Sequence, residues 1–115
     1  MDEIDETEQL REAAMEIIAK AGAARSCAFV AIHRAKAFDF AGAVEQLDEA
    51  ERYATEAHKV HTELLVREAG GQQTDGELLV THAQDHFMMA TLAQELAEEI
   101  VDVYRALGEA KGGSQ

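Results

Sequence analysis

The sequence predicts an all-α fold in which three long helices pack as antiparallel neighbours in an up-down-up bundle. Three observations predict it. The 115-residue chain contains no Pro, the residue that breaks a helix interior at a cost of about 3 kcal/mol. Apolar residues recur at steps of three and four through three long stretches. Only two short segments interrupt the pattern, and short connections between long helices make antiparallel neighbours. A chain of this length is one domain. Its predicted extent is residues 5–108, with helices at about 5–37, 40–68 and 77–108, and residues 109–115 are read as a flexible tail.

The first helix carries the stripe Leu10, Ala14, Ile17, Ala21, Ala24, Ala28, Ile32, Ala35. Small residues dominate it, so a neighbouring helix can approach closely. Gly22 inside this helix costs about 1 kcal/mol against Ala and suggests close packing or a bend. The chain then breaks near Phe38–Phe40, where Asp39 can cap the next helix by accepting an orphan backbone N–H. The second stripe is Phe40, Val44, Leu47, Ala50, Ala54, Ala57, His61, Leu64. The segment Gly70-Gly71-Gln72-Gln73-Thr74-Asp75-Gly76 is the clearest loop.

Composition excludes several functions. The net charge of −13 repels nucleic-acid backbones and anionic membranes. The single cysteine, Cys27, cannot form an intramolecular disulfide and reads as a small buried apolar residue. The acidic start MDEIDETEQL lacks the order of a signal peptide, and no apolar run approaches the roughly 20 residues of a membrane span. These features imply a cytoplasmic protein without membrane insertion.

The third helix is unusual. From Leu78 to Gln94 the sole charged residue is Asp85, with His counted neutral. Apolar residues surround the whole circumference, and a helix apolar on all sides is buried on all sides. Two partner helices cannot cover it, so the remaining face is expected to meet another subunit. One seam, Leu78, His82, Asp85, Met89, Leu92, Leu96, Glu99, Val103, steps by four and three as coiled coils do. His82 and Asp85 occupy core-type positions on it, with His86 one turn from His82. Ionisable groups in such positions cost several kcal/mol unless paired, metal-bound or solvated. They form either a satisfied polar network or a site. Met88 and Met89 read as filling. His58 and His61 read as core or interface histidines, and Arg25 as an ion-pair partner or a support for the site.

The run His82-Ala83-Gln84-Asp85-His86 resembles the H-A-Q-D-H segment of the lactose/cellobiose-specific IIA family of sugar phosphotransferase systems. Gly22-Ala23-Ala24-Arg25-Ser26 is similar to that family's G-x-A-R-S. Phe38-Asp39-Phe40 looks like its G-D-F break, with Phe38 in place of Gly. Glu56-Ala57-His58 with Thr62-Glu63-Leu64 looks like its second-helix segment, with His61 where Gln is usual. Together these pieces span about residues 15 to 107.

The resemblance implies a homotrimer of three-helix subunits acting as a phosphoryl carrier. His82 would accept the group from the histidine-containing phosphocarrier protein and pass it to a cysteine of a IIB component during uptake of a lactose-, cellobiose- or chitobiose-type sugar. Neutral imidazole suits this role, since its ordinary pKa is about 6.5. Gln84 and His86 could donate hydrogen bonds to the phosphoryl oxygens. Asp85 corresponds to the position facing the trimer axis, where three carboxylates would repel unless protonated or bound to a cation. Oxygen ligands favour magnesium, as a structural ion. Rival chemistries fit less well. A zinc peptidase needs Glu after the first His, and Ala83 stands there. A di-iron bundle needs Glu-x-x-His, yet Val30, Thr55, His58, Leu79 and Ala83 precede the five histidines by three. The alternative is a non-enzymatic helical metal-binding or interaction module.

Overall fold

The structure, a computed structural model, describes residues 3–71 and 78–113. They form α1 (Glu3–Lys36), α2 (Phe40–Ala69) and α3 (Leu78–Gly113), and there is no strand among the described residues. The resulting rod is 69 Å long and 18 Å across.

α1 is the spine. It packs along its length against both other helices, while α2 and α3 touch each other far less. Ala14, Ala21, Ala24, Ala28, Ala31 and Ala35 are buried on α1, with Leu10 and Ile17 joining them near its start. Small side chains let helix axes approach closely, as ridges-into-grooves packing requires. Leu10, Ala14 and Ile17 cluster with Val60 and Leu64 from the end of α2 and with Val80 and Ala83 from the start of α3. At the opposite end Ala31 and Ala35 cluster with Ala43 and Val101.

The stripes differ from the sequence reading by small rotations. Ala31 is buried where Ile32 was expected, and Ile32 packs at the margin. On α2, Ala43 and Val60 are buried and Val44 is exposed. The buried face thus follows the smallest residues, and the apolar pattern alone did not separate the centre of the face from its edge. Gly22 has no atom within 4 Å of the position a Cβ would take, so close packing inside the chain does not explain it. The predicted tail is also corrected. α3 continues past Gly108 to Gly113, because Glu109, Ala110 and Lys111 are good helix formers. Residues 114–115, most of the Gly70–Gly76 loop (72–76) and Glu77 lie outside the described residues.

The α1–α2 break fixes the angle between the helices. The Phe38 N–H bonds to the Ala35 carbonyl at 2.9 Å and the Asp39 N–H to the Arg34 carbonyl at 2.9 Å. This pair of bonds is the Schellman pattern, which needs a left-handed residue. Phe38 takes that conformation, with φ 59°, at a position better suited to Gly. Its ring packs edge-on to Phe40 at 5.9 Å, lies where a Cβ on Gly108 would crowd it, and sits 5.4 Å from the Lys111 ammonium. Asp39 caps α2 as expected, its carboxylate accepting the Gly42 N–H at 3.0 Å.

The strain and the ring contacts can be separated. Phe38→Ala keeps the strain and loses the ring, whereas Phe38→Gly loses the ring and the strain together. Phe38→Gly is expected to be more stable than Phe38→Ala by about 1 kcal/mol, read from urea denaturation at matched concentration.

Candidate functional site

The second helix turn of α3 presents His82 to solvent. Four residues on, His86 lies on the same strip, because residues i and i+4 are neighbours on a helix. Their rings meet edge to face at 4.5 Å, and the two Nε2 atoms are 3.0 Å apart. A hydrogen bond at that distance has one ring donating from Nε2–H while the other accepts with its Nε2 lone pair. His82 sits within the first two turns, where the positive end of the helix dipole favours an anion.

Gln84 is not brought to His82 within one chain. Two residues along an α-helix turn it by about 200°, and Gln84 is half-buried on the other side. Any contact between them needs a second copy. Asp85 is exposed on the His82 side. Among the described residues of one chain, no three His, Cys, Asp or Glu side chains come together as a metal site.

The seam holding His82 and Asp85 is uncovered from end to end. Leu78, Met89, Leu92, Leu96 and Val103 are 83%, 54%, 57%, 52% and 66% exposed. The opposite side of α3, with Val80, Ala83, Ala90, Ala97 and Val101, is buried. The all-round apolar character of α3 therefore resolves into an inner face covered by its own chain and an outer face that its own chain leaves open. Large apolar surfaces of this kind mark interaction sites.

Two features escaped the sequence reading. First, Arg11 of α1, with Leu78, Leu79 and His82, lines a hollow of about 510 Å³. Arg11 is one exposed arginine in a polar stretch, and no sequence pattern ties it to α3. Second, Phe87 is the surface on which the α2 histidines rest. His61 stacks on it at 4.9 Å, and His58 lies tilted against it at 5.7 Å. These rings occupy the α2–α3 groove, apart from the His82–His86 pair. Arg25 lies over the Phe29 ring at 5.3 Å, on its own helix. Cys27 packs beside Ala28, Ala50 and Ala97, and burial pushes its thiol pKa up, away from a reactive thiolate.

Residues 12–105 match the model of the family described as the PTS system, lactose/cellobiose-specific IIA subunit. The chain belongs to this IIA family. It is 38% identical over 107 residues to the lichenan-specific phosphotransferase enzyme IIA component of Bacillus subtilis, covering 93% of this chain and 97% of that one. The crystal structure of the cellobiose-specific enzyme IIA from Bacillus anthracis superposes with a TM-score of 0.82 at 39% identity, covering 85% of this chain and 90% of that one. The IIA of the N,N′-diacetylchitobiose branch of Escherichia coli, solved in complex with HPr, gives a TM-score of 0.73 at 36% identity and covers 86% and 96% of the two chains. The IIA chain described here is thus a phosphotransfer protein of the cellobiose, chitobiose and lactose type.

The His61 stack predicts a pH effect. Burial lowers the His61 pKa, and the nearby His58 lowers it further. The unfolded chain takes up this proton near the ordinary value, and the folded chain takes it up only at lower pH. The unfolded state then binds more protons in that window, so stability falls as pH drops below about 6.5. The urea midpoint is expected to fall between about pH 7.5 and pH 5.5, and His61→Gln is expected to reduce that fall.

Proposed function

We propose that this IIA chain carries a phosphoryl group on His82. It receives the group from the histidine-containing phosphocarrier protein and passes it to a cysteine of a IIB component during uptake of a lactose-, cellobiose- or chitobiose-type sugar. The observation that carries the reading is the His82–His86 pair, an exposed nucleophilic imidazole whose Nε2 lies 3.0 Å from a second imidazole nitrogen. The relative solved with HPr supports the donor. No described helix is long and apolar enough to cross a membrane, which agrees with a cytoplasmic carrier.

In the resting pair, His86 donates from Nε2–H to the Nε2 lone pair of His82. When that lone pair attacks phosphorus, the hydrogen-bond acceptor is consumed and an anionic phosphoryl oxygen arrives beside it. The His86 N–H then turns to that oxygen. The donor was in place before the charge arrived, which is how preorganised groups lower barriers in phosphoryl transfer.

The assembly we propose is a homotrimer of up-down-up bundles, closed over the α3 seam. Exposure of Leu78, Met89, Leu92, Leu96 and Val103 supports it, and Gln84 of an adjacent copy could then approach the phosphoryl group. The metal belongs to the same assembly. Among the described residues one chain offers the Asp85 carboxylate and no ligand group of its own, so three copies meeting at an axis would suit a divalent ion better than one. Three Asp85 carboxylates would supply oxygen ligands for magnesium, whose charge would offset their mutual repulsion.

Phosphorylation is tested by incubating the chain with phosphoenolpyruvate, enzyme I and the phosphocarrier, then measuring its intact mass. A gain of one acid-labile phosphoryl group, abolished in His82→Ala, is expected. Failure to accept it from an active carrier would refute the proposal. Assembly is tested by sedimentation equilibrium. Three times the 12.5 kDa chain mass is expected, with dissociation on Leu92→Lys, because a charge buried in such a seam costs several kcal/mol.

A further inference from the structure

The hollow beside His82, open in the single chain, contains a cation with no assigned task. Arg11 lines it together with Leu78, Leu79 and His82, and no ion pair, hydrogen bond or ring contact engages the Arg11 guanidinium among the described residues. The setting makes that notable. The chain carries a net charge of −13, so an incoming phosphoryl group meets a repulsive overall field. Arg11 is the basic side chain among those lining the hollow, and Leu78 and Leu79 give it apolar walls that lower the local dielectric and strengthen charge–charge attraction. A guanidinium also presents a planar fork of donors matched to two phosphoryl oxygens.

We propose that Arg11 is a catalytic residue of this IIA protein, contacting the oxygens of the phosphoryl group as it moves on to and off His82. The inference rests on His82 being the acceptor. In the step, the His82 Nε2 lone pair forms a new P–N bond. The P–N bond to the imidazole of the phosphohistidine donor breaks, and its electron pair returns to that donor nitrogen. Arg11 stays protonated throughout and exchanges no proton. Its contribution is charge opposite the three phosphoryl oxygens, on the side away from the His86 N–H. Onward transfer to a thiolate reverses the arrangement around phosphorus and uses the same contact.

The test compares full-length wild type, Arg11→Gln and Arg11→Lys, each loaded by a phosphohistidine donor protein in rapid-quench assays across donor concentrations. Arg11→Gln is expected to lower the saturating transfer rate about tenfold, on the scale of losing a charge-assisted hydrogen bond, with KM little changed. Arg11→Lys is expected to recover part of the loss, because it keeps the charge and loses the fork. In phosphorus NMR of the loaded proteins, the phosphoryl group of Arg11→Gln should take up its proton at higher pH than that of wild type. Thermal melts confirm that the variants fold. A saturating rate and a phosphoryl titration both unchanged in Arg11→Gln, with wild type labelled normally at His82, would overturn the role of Arg11 and leave the carrier function standing. A rise in KM alone would overturn it too, by assigning Arg11 to donor docking. Wild type that takes no phosphoryl group at His82 would remove the acceptor and this inference with it.

Discussion

The alanines of α1 constrain everything else in this chain. They line its buried face almost without interruption from Ala14 to Ala35, so two helices can lie close against one spine. Each buried alanine removes little apolar area, of the order of one methyl group or about 0.8 kcal/mol. Larger apolar groups enter the core mainly near the ends, as Ile17 and Leu64 at one and Val101 at the other. The bundle is consequently thin, and its three helices have more apolar surface than they can bury among themselves. The excess appears on the outer face of α3, where His82 stands. The packing that makes the rod slender also sets His82 on a face that its own chain leaves open.

The fold was legible in the sequence for a simple reason. Three long periodic stretches without Pro leave few choices, and both the Phe38 break and the Asp39 cap could be read from residue types. Legibility failed where the pattern is degenerate. Where apolar residues adjoin, as at Ala31 and Ile32, periodicity cannot say which is innermost, and closeness of packing chose the smaller. It failed again at the end of α3, since a glycine is a stop signal only when the residues beyond it cannot continue the helix. The site was legible in part. His82 and His86 share one helix, so their meeting follows from helix geometry. Gln84 was grouped with them by proximity in sequence, and helix geometry separates it. Arg11 could not be found, because its approach to His82 is made by the fold and leaves no trace in local spacing.

Electrostatics and geometry act together around His82. An acidic chain is a poor environment for a phosphoryl anion, and its remedies are local. They are the positive end of a helix, an imidazole nitrogen within hydrogen-bond distance of the His82 Nε2, and an arginine lining the same hollow as His82. None depends on a deep pocket. An open site would suit the carrier role proposed for His82, in which the same nitrogen meets a donor and then an acceptor and both must reach the phosphorus atom from outside.

The unequal helix contacts have a dynamic consequence. Because α2 and α3 touch each other far less than either touches α1, each is tied to the molecule chiefly by its own seam with α1. The α1–α2 hairpin is also tied through the short Phe38–Asp39 turn. Local opening of α3 would break its α1 seam and the His58 and His61 contacts with Phe87, while the α1–α2 hairpin would keep a seam of its own. Amide protons of α3 in a lone chain would exchange with solvent sooner than those in the centre of α1. Another copy laid along the outer seam would slow them without any rearrangement of the hairpin, so that association would be felt first in the helix that bears His82.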